Sequence, residues 1–170
     1  WCVWRSGGFW FCGFSFGGGG DVPAPGDYEG GGKADAAVFR ESAATWYISR
    51  SAGGTDIVGF GAVGDKPVNA DYDGDGKTDV AVFRPSNGTW YIYMSLTSTF
   101  ETFGWGANGD LPVPTDRDAD GKADLVLFRP SNNTWYTKYG ANFEVFPFGA
   151  AGDKPLAGDF DGDGVGDIAV

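Results

Sequence analysis

The sequence predicts an all-β fold of the β-propeller type, built from four-stranded blades of about 44 residues, and three observations support this. An acidic nine-residue pattern returns with its first Asp at positions 27, 71, 116 and 159, at intervals of 44, 45 and 43 residues. Each period contains several short apolar runs rich in β-branched and aromatic residues, which is typical of strands. No segment shows the sustained periodicity of an amphipathic helix.

The unit that begins at position 71 illustrates the four strands expected in each period. We predict the first strand at 68–72, leading into the acidic loop, and the second at 80–84, leaving it. A Pro-Ser-Asn-Gly turn, whose residue types suit its backbone, connects the second strand to the third at 89–94. The fourth strand follows at 99–103. Apolar residues do not simply alternate in these runs, which predicts sheets packed on both faces.

The acidic pattern, D-x-D-x-D-G-x-x-D, predicts a calcium loop. Four carboxylates within nine residues repel one another unless a cation lies between them. Hard oxygen ligands at positions 1, 3, 5 and 9, a main-chain carbonyl at position 7 and a glycine at position 6 suit Ca²⁺. The predicted ligands are Asp71, Asp73, Asp75, Lys77 and Asp79, then Asp116, Asp118, Asp120, Lys122 and Asp124, then Asp159, Asp161, Asp163, Val165 and Asp167.

These loops begin like the calcium loop of an EF-hand but continue differently. Position 12, which would be a bidentate Glu, is Val82, Leu127 or Val170, and it lies in an apolar run that reads as a strand. The loop that begins at Asp27 has Glu29 at position 3 and Gly31 at position 5, so we expect it to bind calcium poorly or not at all. About three Ca²⁺ per chain are therefore expected.

Two further motifs accompany the loops. A Phe-Gly or Trp-Gly pair ends each unit at 60–61, 105–106 and 148–149, and the stretch V-F-R-P-S-N-G-T-W-Y follows the loop that begins at Asp71. Together these features resemble the FG-GAP/VCBS-type calcium-binding β-propeller repeat family, which has integrin-α-like blades, and the V-F-R-P-S-N-G-T-W-Y stretch resembles its bacterial branch. The resemblance covers residues 27–170 well and residues 1–15 poorly. It implies structural calcium ions and an extracellular or cell-surface location.

The chain divides into repeats and two half-blades. The segments are 1–26 (the C-terminal half of a blade), 27–70 (repeat 1), 71–115 (repeat 2), 116–158 (repeat 3) and 159–170 (the N-terminal half of a blade). Residues 1–16 look like the third and fourth strands of a blade, and residues 156–170 like the first and second. The halves could meet within one chain and close a four-bladed ring. They could instead meet across chains, or continue into further repeats, and form an open or filamentous assembly.

The two cysteines are predicted to form a disulfide. Cys2 and Cys12 flank a short segment, and a hairpin centred on Gly7 would place them opposite each other. A disulfide implies an oxidising compartment. The alternative is a pair of unpaired, buried thiols.

Composition argues against several functions. The net charge is −11, and 12 of the 23 acidic residues lie in the three complete loops. We therefore interpret the acidity as a metal-binding property. A chain of this charge is not expected to bind nucleic acid. The sequence contains no histidine, which is the commonest general base and zinc ligand, and it contains no recognised nucleophile motif. We therefore expect that the protein is not an enzyme. No apolar stretch reaches the length of a membrane span.

Two sets of recurring residues are interpreted as packing. The tryptophans could stack on sugars but are expected in the core between blades; they are Trp46, Trp90 and Trp135. The arginines could hold a ligand but are expected to form inter-blade hydrogen bonds to carbonyls or a carboxylate; they are Arg40, Arg84 and Arg129.

The resulting functional hypothesis is an extracellular calcium-binding propeller that acts as a non-catalytic adhesion or ligand-binding module. Its partner would be a protein or a glycan, and self-association through the half-blades is a further expectation. One alternative is a structural subunit of a surface fibre or matrix. Another is an accessory domain, carbohydrate-binding or otherwise, of a secreted enzyme. Fold alone does not choose among these.

Overall fold

The computed structural model describes residues 15–170 in full and the backbone of residues 2–4 and 10–12. Within this part of the chain it is all-β, with sixteen short strands and one helical turn of three residues, Glu41–Ala43. Every strand pairing is antiparallel. No helix among the described residues is long and apolar enough to cross a membrane.

Three sheets have four strands each, paired in chain order. Sheet 1 consists of β3 (Asp21–Pro23), β4 (Ala36–Arg40), β5 (Thr45–Ser49) and β6 (Thr55–Gly59). Sheet 2 consists of β7 (Lys66–Pro67), β8 (Val80–Arg84), β9 (Thr89–Met94) and β10 (Thr99–Gly104). Sheet 3 consists of β11 (Leu111–Pro112), β12 (Leu125–Arg129), β13 (Thr134–Tyr139) and β14 (Asn142–Pro147).

Two further sheets have two strands each. One pairs β1 (Cys2–Trp4) with β2 (Trp10–Cys12), and the other pairs β15 (Leu156–Gly158) with β16 (Asp167–Ala169). No backbone ladder among the described strands joins these two sheets. The structure thus establishes repeated antiparallel sheets.

The strands of sheet 2 follow the prediction closely except at the first one. The second and third strands have the predicted bounds, and the fourth is one residue longer. The first strand was predicted at 68–72, and this is wrong, because the regular ladder covers only Lys66–Pro67. Beyond it, one hydrogen bond from Val68 N–H to the Ala81 carbonyl and an isolated bridge from Ala70 to Asp79 remain as the chain bends into the acidic loop.

Consecutive sheets pack face to face through their second strands, whose residues point alternately to the two sides. Val80 and Val82 lie in an apolar cluster with Phe39 of sheet 1. Phe83 lies in a second cluster with Leu127 of sheet 3. Because both faces of these strands are covered, residues 80–83 are all buried, as are residues 125–128.

The recurring tryptophans form the centre of this packing, as predicted. All three side chains are fully buried, and each stacks in a tilted arrangement on the Phe of the neighbouring strand. Each indole N–H donates to the carbonyl of the aromatic residue that follows the last strand of its sheet. The three bonds are Trp46 to Phe60 (3.2 Å), Trp90 to Trp105 (2.7 Å) and Trp135 to Phe148 (3.0 Å). A buried indole with a satisfied N–H is a core residue.

The β15–β16 sheet lacks the covering that sheet 2 has. Leu156 and Phe160 are 59% and 63% exposed, whereas their repeat counterparts Val68 and Tyr72 are 4% and 7% exposed. In sheet 2 those counterparts lie in an apolar cluster with residues of β9 and of sheet 3. Neither a third strand nor a following sheet covers β15–β16 in the described part of the chain.

The hairpin at the start of the chain has the predicted register. Cys2 lies opposite Cys12 in the β1–β2 ladder. The side chains of both cysteines lie outside the described residues, so the disulfide stays a prediction.

Candidate metal centre

Each acidic loop connects the first strand of a sheet to the second. We call them loop 1 (27–35), loop 2 (71–79), loop 3 (116–124) and loop 4 (159–167). Positions 4 and 6 carry the sharp turn, and in loop 2 Gly74 and Gly76 have φ angles of 80° and 82°. Glycine adopts these angles without strain. Loop 3 has Ala119 at position 4, with φ of 60°, so this loop holds an alanine where the others hold glycine.

Three loops bring carboxylates together in the arrangement expected of a metal site. In each of loops 2, 3 and 4, one carboxylate oxygen from each of positions 1, 3 and 9 lies within 4.8 Å of the others. The three groups are Asp71, Asp73 and Asp79; Asp116, Asp118 and Asp124; and Asp159, Asp161 and Asp167. Nine of the fifteen predicted ligand residues therefore form three groups of three carboxylates.

The aspartates at position 5 do not join these groups. In loop 2, Asp75 accepts hydrogen bonds from the Lys77 N–H (2.8 Å) and from the Ser95 hydroxyl (3.0 Å). Asp120 and Asp163 likewise accept the N–H of the position-7 residue, Lys122 (2.9 Å) and Val165 (2.7 Å). The position-5 side chains thus hold the loop together, and their role as calcium ligands, like that of the position-7 carbonyls, stays a prediction.

Loop 2 is densely braced by its own chain. Its four aspartates accept eight hydrogen bonds. Asp79, which is fully buried, accepts the N–H groups of Tyr72 (2.9 Å) and Ser95 (2.7 Å) at its two oxygens. Asp73 accepts the N–H of Leu96 (3.0 Å). Ser95 and Leu96 belong to the turn between β9 and β10, so this turn folds back over the loop.

Loop 3 is braced far less. Its four aspartates accept three hydrogen bonds, one each at Asp116, Asp120 and Asp124. Asp118 receives none from the described residues, and Asp116 Oδ1 is buried without a partner among them. A buried carboxylate oxygen without a donor is costly, and a cation in this loop would satisfy it.

The length of a neighbouring turn explains this difference. Residues 95–98 form the four-residue turn between β9 and β10, whereas residues 140–141 alone connect β13 to β14. The shorter turn supplies no N–H or hydroxyl to loop 3. In sheet 1, by contrast, residues 50–54 connect β5 to β6 and donate to loop 1.

Loop 1 holds no such carboxylate group among the described residues. Asp27 accepts three backbone N–H groups from Gly30, Gly31 and Gly32. Glu29 turns away to accept the Ser51 hydroxyl (2.8 Å) and the Ala52 N–H (2.9 Å). Hydrogen bonds from the chain itself therefore occupy the acidic oxygens here.

The position-9 aspartates of loops 2 and 3 have raised pKa values, and a nearby cation would stabilise their charged forms. Burial raises the pKa of Asp79 above its ordinary value. Burial, together with the charges of Asp118, Asp116 and Asp120, raises the pKa of Asp124 to about 6. Both shifts oppose the charged form in the metal-free loop, and an adjacent divalent cation reverses that preference.

The loops of consecutive sheets are linked through their main chains. The N–H at position 8 of one loop donates to the carbonyl at position 1 of the preceding loop. The three bonds are Thr78 to Asp27 (2.7 Å), Ala123 to Asp71 (2.6 Å) and Gly166 to Asp116 (2.5 Å). The acidic loops therefore form one hydrogen-bonded row across the sheets.

The recurring arginines lie outside the acidic loops. The prediction that they form hydrogen bonds between blades is wrong. Arg84 forms a bidentate ion pair with Asp65 (2.8 and 2.9 Å) and lies over the ring of Tyr91. These three residues lie in sheet 2 or in the turn that leads into it. The same triad recurs as Arg40, Asp21 and Tyr47, and as Arg129, Asp110 and Tyr136. The carboxylate is the predicted type of partner, but it stands 19 residues earlier. That constant offset was the available sequence signal.

The donor set fits calcium. All ligand atoms of the three groups are carboxylate oxygens, the loops turn at glycine or Ala119, and loop 3 contains an orphaned buried oxygen. The arrangement defines a class: an all-β repeat protein with one acidic loop per repeat, in which three of the four loops group carboxylates as a metal site does.

Comparison with known families supports that class. The family model described as an FG-GAP-like repeat matches residues 116–170, which contain loops 3 and 4. The resemblance noted from the sequence is confirmed over these residues. No curated protein and no solved structure was found to match the chain.

Proposed function

We propose that the protein is an extracellular, calcium-binding, propeller-type module that acts in adhesion or ligand binding and is not an enzyme. The observation that carries the proposal is the recurrence of the position-1, 3 and 9 carboxylates in loops 2, 3 and 4. Their position in a row of linked loops suggests that the cations would stabilise the contacts between sheets. Extracellular modules bind calcium with a Kd of roughly 10⁻⁴ to 10⁻³ M, so calcium above about 1 mM would fill most of these sites.

Calcium binding is tested by melting and by stoichiometry on the whole chain. At a tenfold excess over Kd, which is about 1–10 mM calcium for such sites, each filled site contributes about 1.4 kcal/mol, and each kcal/mol raises the Tm by about 2–4 °C in a chain of this size. Calorimetric titration should give three ions per chain. Identical melting curves in chelator and in millimolar calcium would overturn the proposal.

A second candidate, a structural subunit that assembles with copies of itself, draws support from the exposed β15–β16 sheet. Leu156 and Phe160 are exposed at positions that are buried in sheet 2, and β16 has no neighbour on its outer edge among the described strands. The β1–β2 hairpin has the strand order needed to cover it, either within one chain, closing a four-bladed ring, or between chains.

Solution mass separates these architectures. A closed ring gives a monomer at all concentrations, whereas exchange of half-blades between chains gives masses that grow with concentration. Phe160→Ser should weaken association if the half-blade is the interface. The exposed Leu96→Ser in sheet 2 is the control for a general loss of apolar surface. If Phe160→Ser leaves the association between chains unchanged, the β15–β16 half-blade is not the surface through which the chains associate.

A further inference from the structure

The residues packed between consecutive acidic loops differ from junction to junction, although the main-chain hydrogen bond at each junction is the same. The N–H of that bond belongs to position 8 of the later loop. The residue just before position 1 of the earlier loop, which we call position 0, lies next to it. The pairs of position 0 and position 8 are Gly26 with Thr78, Ala70 with Ala123, and Thr115 with Gly166. A small residue thus faces a large one, or two residues of intermediate size face each other.

At the first junction the neighbouring loop requires a glycine. A Cβ atom added to Gly26 would lie 2.6 Å from both Cγ2 and Oγ1 of Thr78. That is well inside the roughly 3.5–4.0 Å at which carbon atoms pack. The φ angle of Gly26 is outside the left-handed region, so its backbone would accept an L-residue. The missing side chain therefore makes room for Thr78 and does not serve a turn.

The third junction has the same arrangement with the sizes exchanged. A Cβ atom added to the buried Gly166 would collide with Oγ1 of Thr115, and the φ angle of Gly166 is also outside the left-handed region. At the middle junction, Ala70 and Ala123 both pack against the apolar cluster between sheets 2 and 3. All three junctions are therefore filled, but each by a different pair of residues.

A second pair of positions varies in the same complementary way. A Cβ atom added to Gly74, at position 4 of loop 2, would lie 3.3 Å from Cγ of Lys122, at position 7 of loop 3. The same contact between glycine and lysine occurs at the first junction. At the third junction position 4 is Ala119, and position 7 of the next loop is Val165, which is shorter than lysine. The larger residue of one loop again accompanies the smaller residue of the next.

The strands by themselves distinguish the sheets poorly. The second strands of sheets 2 and 3 read V-A-V-F-R and L-V-L-F-R, so their packing faces are similar. Misassembly of similar units is a characteristic failure of repeat proteins. Sheet 2 placed after sheet 3 would press Thr78 against Thr115, and the β15–β16 sheet placed after sheet 1 would leave a gap between Gly166 and Gly26. Overpacking and gaps both destabilise a packed contact.

We propose that the residues at positions 0 and 8 specify which sheet follows which in the row of acidic loops. Each loop recognises, as its neighbour, another acidic loop with a residue of complementary size at this point. The native order satisfies all three pairs, whereas exchanged neighbours collide or leave a gap, which is how specificity against wrong partners is achieved. This role goes beyond the proposed calcium binding, because positions 0 and 8 contain no predicted calcium ligand.

The first test is a double-mutant cycle at the first junction, made on the whole chain in calcium. Gly26→Ala should lower the Tm by roughly 3–10 °C, because it overpacks a filled contact. Thr78→Ala alone should lower it slightly, because it leaves a gap. The double variant recreates the alanine pair of the middle junction and should recover most of the loss caused by Gly26→Ala.

Gly104→Ala is the matched control for this cycle. The φ angle of Gly104 is also outside the left-handed region, and no atom of the described residues lies within 4 Å of a Cβ atom added there. The substitution should change the Tm by less than about 2 °C. A Gly26→Ala variant that melts like this control would contradict the proposed role of Gly26.

A second cycle moves the pair of the first junction to the middle one. Ala123→Thr should lower the Tm, because the larger side chain is pressed against Ala70. Ala70→Gly alone should also lower it, because glycine leaves a gap and gains more freedom in the unfolded chain. The double variant recreates the glycine–threonine pair and should melt above the Ala123→Thr variant, although each single change is destabilising.

The outcomes separate this role from the proposed function. If the losses of the single variants simply add in the double variants, positions 0 and 8 act independently and the proposal is overturned. The first cycle alone decides if Ala123→Thr does not fold. A calcium titration of the unmodified chain accompanies both cycles. Absence of calcium binding contradicts the proposed function and leaves the pairing intact, whereas additive losses leave the calcium module standing.

Discussion

Loops 2 and 3 share one nine-residue pattern and differ in what surrounds them. The aspartates of loop 2 accept N–H and hydroxyl groups from a four-residue turn in the same sheet. Those of loop 3 face a two-residue turn that donates nothing, and one of their oxygens is buried without a partner among the described residues. The comparison teaches that the pattern specifies the carboxylates, whereas a distant turn decides how strongly the loop depends on a cation.

The largest expected effect comes from the position-9 aspartates. Asp79→Asn should destabilise the protein by about 1–3 kcal/mol with or without calcium, because an amide nitrogen cannot accept the N–H that one carboxylate oxygen accepts now. Asp124→Asn should destabilise it only in calcium, because without calcium it relieves repulsion and keeps an oxygen for the Arg117 N–H. Chemical denaturation of both variants in calcium and in chelator checks this. Equal losses in chelator would contradict the proposed difference between the loops.

A smaller effect is expected at the turn itself. Ser95→Ala removes the hydroxyl that donates to Asp75 and should cost about 1 kcal/mol in calcium and in chelator alike. Thr97→Ala, in the same exposed turn but without a bond to the loop, is the matched control and should change the free energy of unfolding by less than about 0.5 kcal/mol. If the two variants melt alike, the turn does not brace loop 2.

A further effect concerns pH. The pKa of Asp124 in the folded, metal-free chain is about 6, above its value in the unfolded chain, because of burial and neighbouring carboxylates. A raised pKa contributes stability that is present in acid and lost as the pH rises through about 6. Without calcium, the Tm advantage of Asp124→Asn over the unmodified chain should therefore appear as the pH rises from 4 to 7. With calcium the order reverses, since the metal requires the carboxylate. A difference in Tm that is independent of pH would argue against this titration.

Much of the fold follows from the sequence because local signals agree with the packing. The runs at 80–84 and 89–94 form strands with the predicted bounds, and Trp90 is fully buried with its N–H satisfied, as the repeat suggested. The first strand was misplaced, because residues 68–72 alternate between apolar and polar like a strand but bend into the loop.

The site was less predictable where it depends on contacts between distant segments. Positions 1, 3 and 9 converge as the pattern indicates, whereas position 5 lies outside those groups and accepts hydrogen bonds within the loop. The cap from Ser95 lies 20 residues beyond Asp75, and no local spacing rule reveals it. The pairing of Arg84 with Asp65 was missed as well, although the constant offset of 19 residues between the two positions was a usable signal.

The row of loop-to-loop bonds has a mechanical consequence. Force that pulls sheet 2 from sheet 3 loads the bond between Ala123 N–H and the Asp71 carbonyl, which stands at position 1 of a candidate calcium loop. An ion held by that loop fixes the carbonyl in place, so the bond resists displacement more when calcium is present. Single-molecule pulling should then show a rupture force that rises with calcium concentration, in steps that correspond to individual sheets.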